Sequence, residues 1–61
     1  SRSTETNEYF SKVDELNNES WKLRRTDPDK SLKLADQALF AAEKHHYEFG
    51  RAHAIKNRGA A

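Results

Sequence analysis

Apolar residues recur at intervals of three and four along most of the chain, which is the spacing of one face of an α-helix. The first stripe consists of Tyr9, Val13, Leu16, Ser20 and Leu23. A second stripe beside it consists of Phe10, Asn17, Trp21 and Arg24. Two adjacent stripes cover more of the helix surface than packing against a single neighbouring helix requires. The pattern therefore predicts a helix over about 5–25 that packs on two sides.

A second helix is predicted over about 28–45. Pro28 suits the first helical position, and Asp27, or Thr26 before it, can cap the free amides. The apolar positions that follow cover about half of the helix circumference, and they are Leu32, Leu34, Ala35, Ala38, Leu39, Ala41 and Ala42. Alanines let neighbouring helices approach closely, so this is predicted to be the middle helix. Phe40 stands alone among the polar positions of its other side.

The stretch HHYEFG, residues 45–50, interrupts this pattern. Gly50 costs about 1 kcal/mol in a helix interior relative to alanine. A short loop is predicted near 46–48, then a third helix over 49–61 with Ala52, Ile55 and Gly59 on its face. A turn or a continuous helix over 46–50 both fit, and residues 1–4 are expected to be a disordered or non-native tail. The fold class is all-α: one helical hairpin plus one further helix.

Composition limits the functions to consider. A chain of 61 residues with no cysteine and 34% hydrophobic content is a marginal single domain. Its 34% charged residues nearly balance at a net charge of +1, which argues against a dedicated nucleic-acid or membrane binder. No apolar run approaches the roughly 18 residues of a membrane span. We expect a cytoplasmic protein.

Catalytic and metal-binding patterns are not evident in the sequence. An enzyme needs a nucleophile with a base, paired carboxylates or a phosphate-binding loop, and none is recognised here, so no enzyme and no cofactor are predicted. His45 and His46 are adjacent and point apart on a helix, and His53 lies across the predicted loop, so no metal site is predicted. Basic residues on the first and third predicted helices leave a small three-helix nucleic-acid-binding domain as the alternative function.

A repeat of 39 residues relates the first and third helices. Leu16 corresponds to Ile55, and Ser20 to Gly59, with the alanine-rich helix between them. Residues 16–61 therefore resemble the tetratricopeptide repeat family, in the longer variant of about 40 residues found in bacterial signalling proteins. The resemblance implies about one and a half repeats, an interaction scaffold or assembly module, and the N-terminal part of a larger regulatory protein.

The resemblance also implies where a ligand would bind. In this family the first helix of each repeat lines a peptide-binding groove, and the corresponding positions here are Asn17, Trp21, Arg24, His53 and Lys56. Asparagine can bond a peptide backbone, tryptophan offers an apolar plate and arginine can bind a carboxylate through two hydrogen bonds. An acidic or C-terminal peptide is the expected partner. The alternative is that Trp21 is a core residue packed with Phe10.

Self-association is the second expected interaction. Helix three has no following helix to cover it, and Phe40 is an aromatic residue of the kind that anchors interfaces. Phe40 and Ile55 are therefore predicted oligomer contacts, although a lone exposed aromatic is also ordinary. A homo-oligomer is expected, including a dimer in which helix three is exchanged between two copies if residues 46–50 straighten.

Overall fold

The computed structural model describes the backbone of residues 2–60 and the side chains of residues 8–60. The chain forms three helices, α1 (Arg2–Leu23), α2 (Pro28–Lys44) and α3 (Glu48–Ala60), with no strand in that range. The all-α class is confirmed. α1 begins at Arg2, so it includes residues 2–4 of the expected tail, while Ser1 and Ala61 lie outside the described residues.

The start of α2 follows directly from the dipeptide at residues 27–28. Pro28 is the first helical residue, and the Asp27 side chain accepts a hydrogen bond of 3.2 Å from the backbone amide of Lys30. This satisfies one of the amides that a helix start leaves free. The amide of Asp27 donates to the carbonyl of Leu23 at 2.8 Å, which ties the new helix to the end of α1.

The segment between α2 and α3 is a turn at residues 45–47. His46 has φ of 56°, and the amides of His46 and Tyr47 donate to the carbonyls of Glu43 and Ala42 at 3.3 and 2.7 Å. This pair of bonds is the Schellman ending of a helix, here with histidine at the left-handed position that glycine usually occupies. Exchange of α3 between two copies would need this turn to straighten into a continuous helix. In the structure the turn is closed.

Small residues form the centre of the three-helix packing. The fully buried apolar side chains are Val13, Ala35, Ala38, Ala42 and Ala54. α2 contacts both α1 and α3, as the alanine pattern predicted. Ser20 and Ser31 are also fully buried, and each hydroxyl donates to the other residue's carbonyl, at 2.7 and 2.6 Å. α1 and α2 therefore approach closely, and the buried hydroxyls are satisfied.

Large apolar side chains lie mostly outside this centre. Among residues 8–60 the exposed ones are Tyr9, Trp21, Leu32, Phe40, Phe49 and Ile55. The inclusion of Tyr9 and Leu32 in buried faces was wrong in this respect, because these side chains are 46% and 41% exposed. Leu32 lies near the start of α2. The molecule thus has a compact centre of small residues, and six of its large apolar side chains are exposed.

Candidate functional site

Trp21 lies at the centre of a cationic cluster on α1 and α3. The guanidinium carbon of Arg24 is 3.7 Å and the ammonium of Lys56 is 4.5 Å from the centroid of the indole ring, both within the range of cation–π attraction. Arg24 also donates to the carbonyl of Trp21 at 2.7 Å, which fixes its guanidinium near the ring. The structure therefore brings together three of the five residues predicted to line a groove.

Trp21 is not a core residue. Its side chain is 40% exposed, whereas Phe10, its suggested packing partner, stacks on Tyr47 with a centroid distance of 4.0 Å. Two positive groups lie against the partly exposed indole. Such a surface combines an apolar plate with charges that attract a carboxylate.

Asn17 is placed differently from the prediction. It is only 6% exposed, and its amide donates to the carbonyl of Gly50 at 3.1 Å. The amide of Asn57, which is 2% exposed, donates to the backbone carbonyl of Asn17 at 3.0 Å and approaches its side-chain oxygen at 3.3 Å. Asn17 thus joins α1 to α3. Its buried amide is bonded within the chain.

His53 borders a shallow cleft that adjoins the cationic cluster. A cleft of about 320 Å³ is lined by Asp14, Asn17, Asn18, Phe49 and His53. A smaller one of about 220 Å³ is lined by Phe49, Ala52, His53 and Lys56. The rings of Phe49 and His53 meet edge to face at 4.4 Å. Phe49 was missed from the sequence, because it lies at the start of α3 and outside the repeat used to choose the groove positions.

Tyr47 supports this cleft from the turn. Its hydroxyl donates to the Asp14 carboxylate at 2.9 Å, and its ring contacts Phe10 on one side and Phe49 at 6.1 Å on the other. Partial burial, the hydrogen bond to Asp14 and the negative charge of that carboxylate raise the pKa of Tyr47 above its ordinary value of 10.0.

Replacing Tyr47 with phenylalanine should change the response of the fold to alkaline pH. The raised pKa means that the folded state favours the protonated phenol, so its stabilisation is complete below pH 10 and is lost as pH rises through the folded-state pKa. At pH 7, Tyr47→Phe should lower the free energy of unfolding by about 1 kcal/mol. Urea unfolding at pH 7–11 should show this difference shrinking. A constant difference would contradict the role of the phenol.

A second apolar surface lies on α2 and α3, and it contains both predicted oligomer contacts. Phe40 is 71% exposed and Ile55 is 47% exposed. Two ion pairs join the same helices: Asp36 with Arg58 at 2.9 Å and Glu43 with Arg51 at 3.8 Å. All four charged side chains are about half exposed.

Other kinds of site receive no support from the described side chains. Residues 8–60 contain no group of three or more histidine and acidic residues arranged to bind a metal ion. His45 stacks on Tyr9 at 3.8 Å, and His46 is exposed in the left-handed turn position. None of the described helices is both long and apolar enough to cross a membrane.

Comparison of the chain with protein-family models, with curated proteins and with solved structures gave no match.

Proposed function

We propose that the chain is a protein-interaction module of the tetratricopeptide kind, with α1 and α2 as one hairpin and α3 as the first helix of the next unit. The observation that supports this most directly is the distribution of apolar side chains. Val13 is the largest apolar side chain that is fully buried, whereas six larger ones are exposed between residues 8 and 60. Large apolar side chains left exposed in this way offer contacts to another polypeptide.

The 39-residue repeat supports the same proposal. On α1, Val13 and Ser20 are fully buried, and Ser20 hydrogen-bonds to Ser31 of α2. The equivalent positions on α3 are Ala52 and Gly59, which are exposed, and a side-chain carbon added to Gly59 would meet nothing within 4 Å. α1 uses this face to pack against α2. On α3 the equivalent face is therefore exposed.

The proposed peptide-binding groove runs along α1 and α3, past Trp21, Arg24, His53 and Lys56. Arg24 and Lys56 supply positive charge at the indole, and the clefts beside Phe49 and His53 can accept an apolar side chain. The ligand class that fits is an acidic peptide with an apolar residue. The groove contribution proposed for Asn17 becomes indirect, because this residue positions α3 against α1.

Peptide titration tests the groove. Labelled acidic peptides with one apolar residue would be titrated by fluorescence anisotropy, with basic peptides of the same length as the negative set. Trp21→Ala and Arg24→Ala should each weaken the binding of an acidic peptide about tenfold, as expected for an anchor residue.

Arg25→Ala is the matched control, since Arg25 is an exposed neighbour with the same charge. It should change the affinity less than threefold, the range expected of a charge at the rim. Unchanged affinity in both groove variants would reject the groove.

The charge distribution favours this proposal over a nucleic-acid-binding domain. Arg51 and Arg58 are each paired with a carboxylate of α2, and Lys22 lies 3.7 Å from Glu19. A nucleic-acid interface needs a basic stripe free to contact phosphates. Retention of single- or double-stranded DNA on a filter at low salt would overturn this choice.

A further inference from the structure

The two exposed apolar residues Phe40 and Ile55 lie at the same height on neighbouring antiparallel helices. Asp36 pairs with Arg58 and Glu43 pairs with Arg51, so each step forward along α2 matches one step back along α3. This register places Ile55 level with residues 39 and 40 of α2. The two side chains therefore lie at matching heights between the two ion pairs. We call this surface, together with Ala52 and Gly59, the α2–α3 face.

The α3 half of this face carries small residues on either side of Ile55, and we call this stretch the socket. Ala52, Ile55 and Gly59 follow the spacing of three and four that lines one side of a helix. All three are exposed. The small residues lie one turn on either side of Ile55, which leaves room for an aromatic side chain to approach the backbone of α3.

The charges of the face are arranged by helix. Both acidic partners, Asp36 and Glu43, lie on α2, and both basic partners, Arg51 and Arg58, lie on α3. If a second copy is rotated by 180° about an axis parallel to the helices, α2 of each copy faces α3 of the other. Acidic positions then meet basic positions at both ends. Rotation about an axis perpendicular to the helices would place acid against acid and base against base.

We propose that the α2–α3 face binds the same face of a second copy through a two-fold axis parallel to the helices. Phe40 of each copy enters the socket around Ile55 of the other, because the two residues are at equal height. Asp36 and Glu43 of one copy extend the ion pairs to Arg58 and Arg51 of the other. The dimer uses chains folded as described, with the turn at 45–47 intact and α3 not exchanged.

The size of the face sets the strength of this dimer. α2 is about 25 Å long at 1.5 Å per residue, and packed helices lie about 8–10 Å apart. A two-helix face of these dimensions covers about 500 Å² per copy, at the lower limit of specific interfaces. A weak, reversible dimer is expected, with a dissociation constant in the high micromolar range.

Sedimentation equilibrium of the chain at about 20 µM to 1 mM tests the proposal. The apparent mass should rise from one copy towards two across this range. Phe40→Ser should raise the dissociation constant at least tenfold, as for an interface anchor. Phe49→Ser is the matched control, because Phe49 is similarly exposed but faces the cleft beside His53. A chain that stays monomeric at 1 mM overturns the proposal. A dimer whose dissociation constant is unchanged by Phe40→Ser also overturns it, and this result would be expected of a helix-exchanged dimer.

Charge reversal separates the two symmetric arrangements. Asp36→Lys and Arg58→Glu should each weaken self-association, because each places like charges opposite one another in the proposed dimer. An equimolar mixture of the two variants should associate more strongly than either alone, since their altered positions face each other with opposite charge. Strengthened self-association of Asp36→Lys alone would overturn the proposed axis. Circular dichroism at the same concentrations establishes that both variants remain folded.

This inference does not depend on the peptide-binding groove. The α2–α3 face and the groove share only Ala52, at their common edge on α3. Phe40 lies on α2, outside the groove, so Phe40→Ser should leave the affinity for an acidic peptide unchanged. Loss of self-association and loss of peptide binding therefore report on the two proposals separately.

Discussion

Replacing Gly50 with alanine should lower the free energy of unfolding by about 1–3 kcal/mol, the range of overpacked core sites. A side-chain carbon at this position would lie 2.5 Å from a methyl carbon of Val13 and 2.6 and 2.9 Å from the ring of Tyr47. Those distances are far below the 3.5–4.0 Å of ordinary carbon contacts. Either α3 moves away from α1, or both neighbours change position.

Neither Val13 nor Tyr47 can move away from Gly50 without losing stabilising contacts of its own. Val13 is fully buried within the cluster that includes Ala38, Ala42 and Ala54. Tyr47 is fixed by its stack on Phe10 and its hydrogen bond to Asp14. Alanine is favoured over glycine in a helix by about 1 kcal/mol, so the clash must exceed that gain. A domain of this size has a stability of only about 3–9 kcal/mol, so Gly50→Ala should remove a large fraction of it.

Gly59→Ala is the matched control for this experiment. Gly59 also lies in α3, but it has open space around the added carbon. Urea unfolding followed by circular dichroism should show this variant stabilised by about 0.5–1 kcal/mol.

A double variant tests the cause of the loss at Gly50. Val13→Ala costs stability by itself, but it removes the nearest clashing atom. Val13→Ala with Gly50→Ala should therefore lose less than the two single losses added together. If Gly50→Ala proved as stable as Gly59→Ala, the close approach of α1 and α3 would be wrong.

The helices and their order could be predicted because their signals are local. Pro28 and Asp27 act within a single turn, and the confirmed start of α2 needs no other part of the chain. The middle position of α2 follows from alanines spaced around two sides of one helix. The limits of α1 and α3 were less accurate by one to three residues, since residues 2–4 and 24–25 contain no comparable signal.

The centre of the fold could not be predicted by the same reasoning. Hydrophobic spacing selects large apolar residues, yet the closest contacts are made by Ser20, Ser31 and Gly50. Small polar residues are buried here because their hydroxyls are satisfied across the α1–α2 contact. This pairing joins residues eleven positions apart, so single-helix periodicity does not reveal it. Gly50 was counted only as an energetic cost within the third helix, although it lies at the closest contact of α3 with α1.

The candidate site was predicted in part for a similar reason. Trp21 and Arg24 share a helix face by spacing alone, and the repeat added Lys56 to them. The repeat could not distinguish Asn17, which faces α3, from Trp21, which faces outward, because both belong to the same stripe. Asn57 was not considered at all, since an asparagine on a predicted polar side gives no signal of burial.

Replacing Asn17 with leucine should lower the free energy of unfolding by about 2 kcal/mol, the cost of breaking a buried hydrogen-bond pair. The substitution removes the donor to the Gly50 carbonyl and the side-chain oxygen near the Asn57 amide. It leaves the buried Asn57 amide with only the backbone carbonyl of Asn17. Asn18→Leu is the control: Asn18 is exposed, and its replacement should change the free energy by less than about 0.5 kcal/mol.

The double variant Asn17→Leu with Asn57→Leu decides whether the cost comes from the broken pair. The side-chain oxygen of Asn57 is buried without a hydrogen-bond partner among the described residues, so removing both amides also removes that unsatisfied group. Replacing both partners by apolar groups of similar size is often nearly neutral. Urea unfolding should be measured for the parent chain, the two single variants and the double variant. The double variant should be more stable than Asn17→Leu. A double variant that lost the sum of the single losses would show that the two amides stabilise the α1–α3 contact independently.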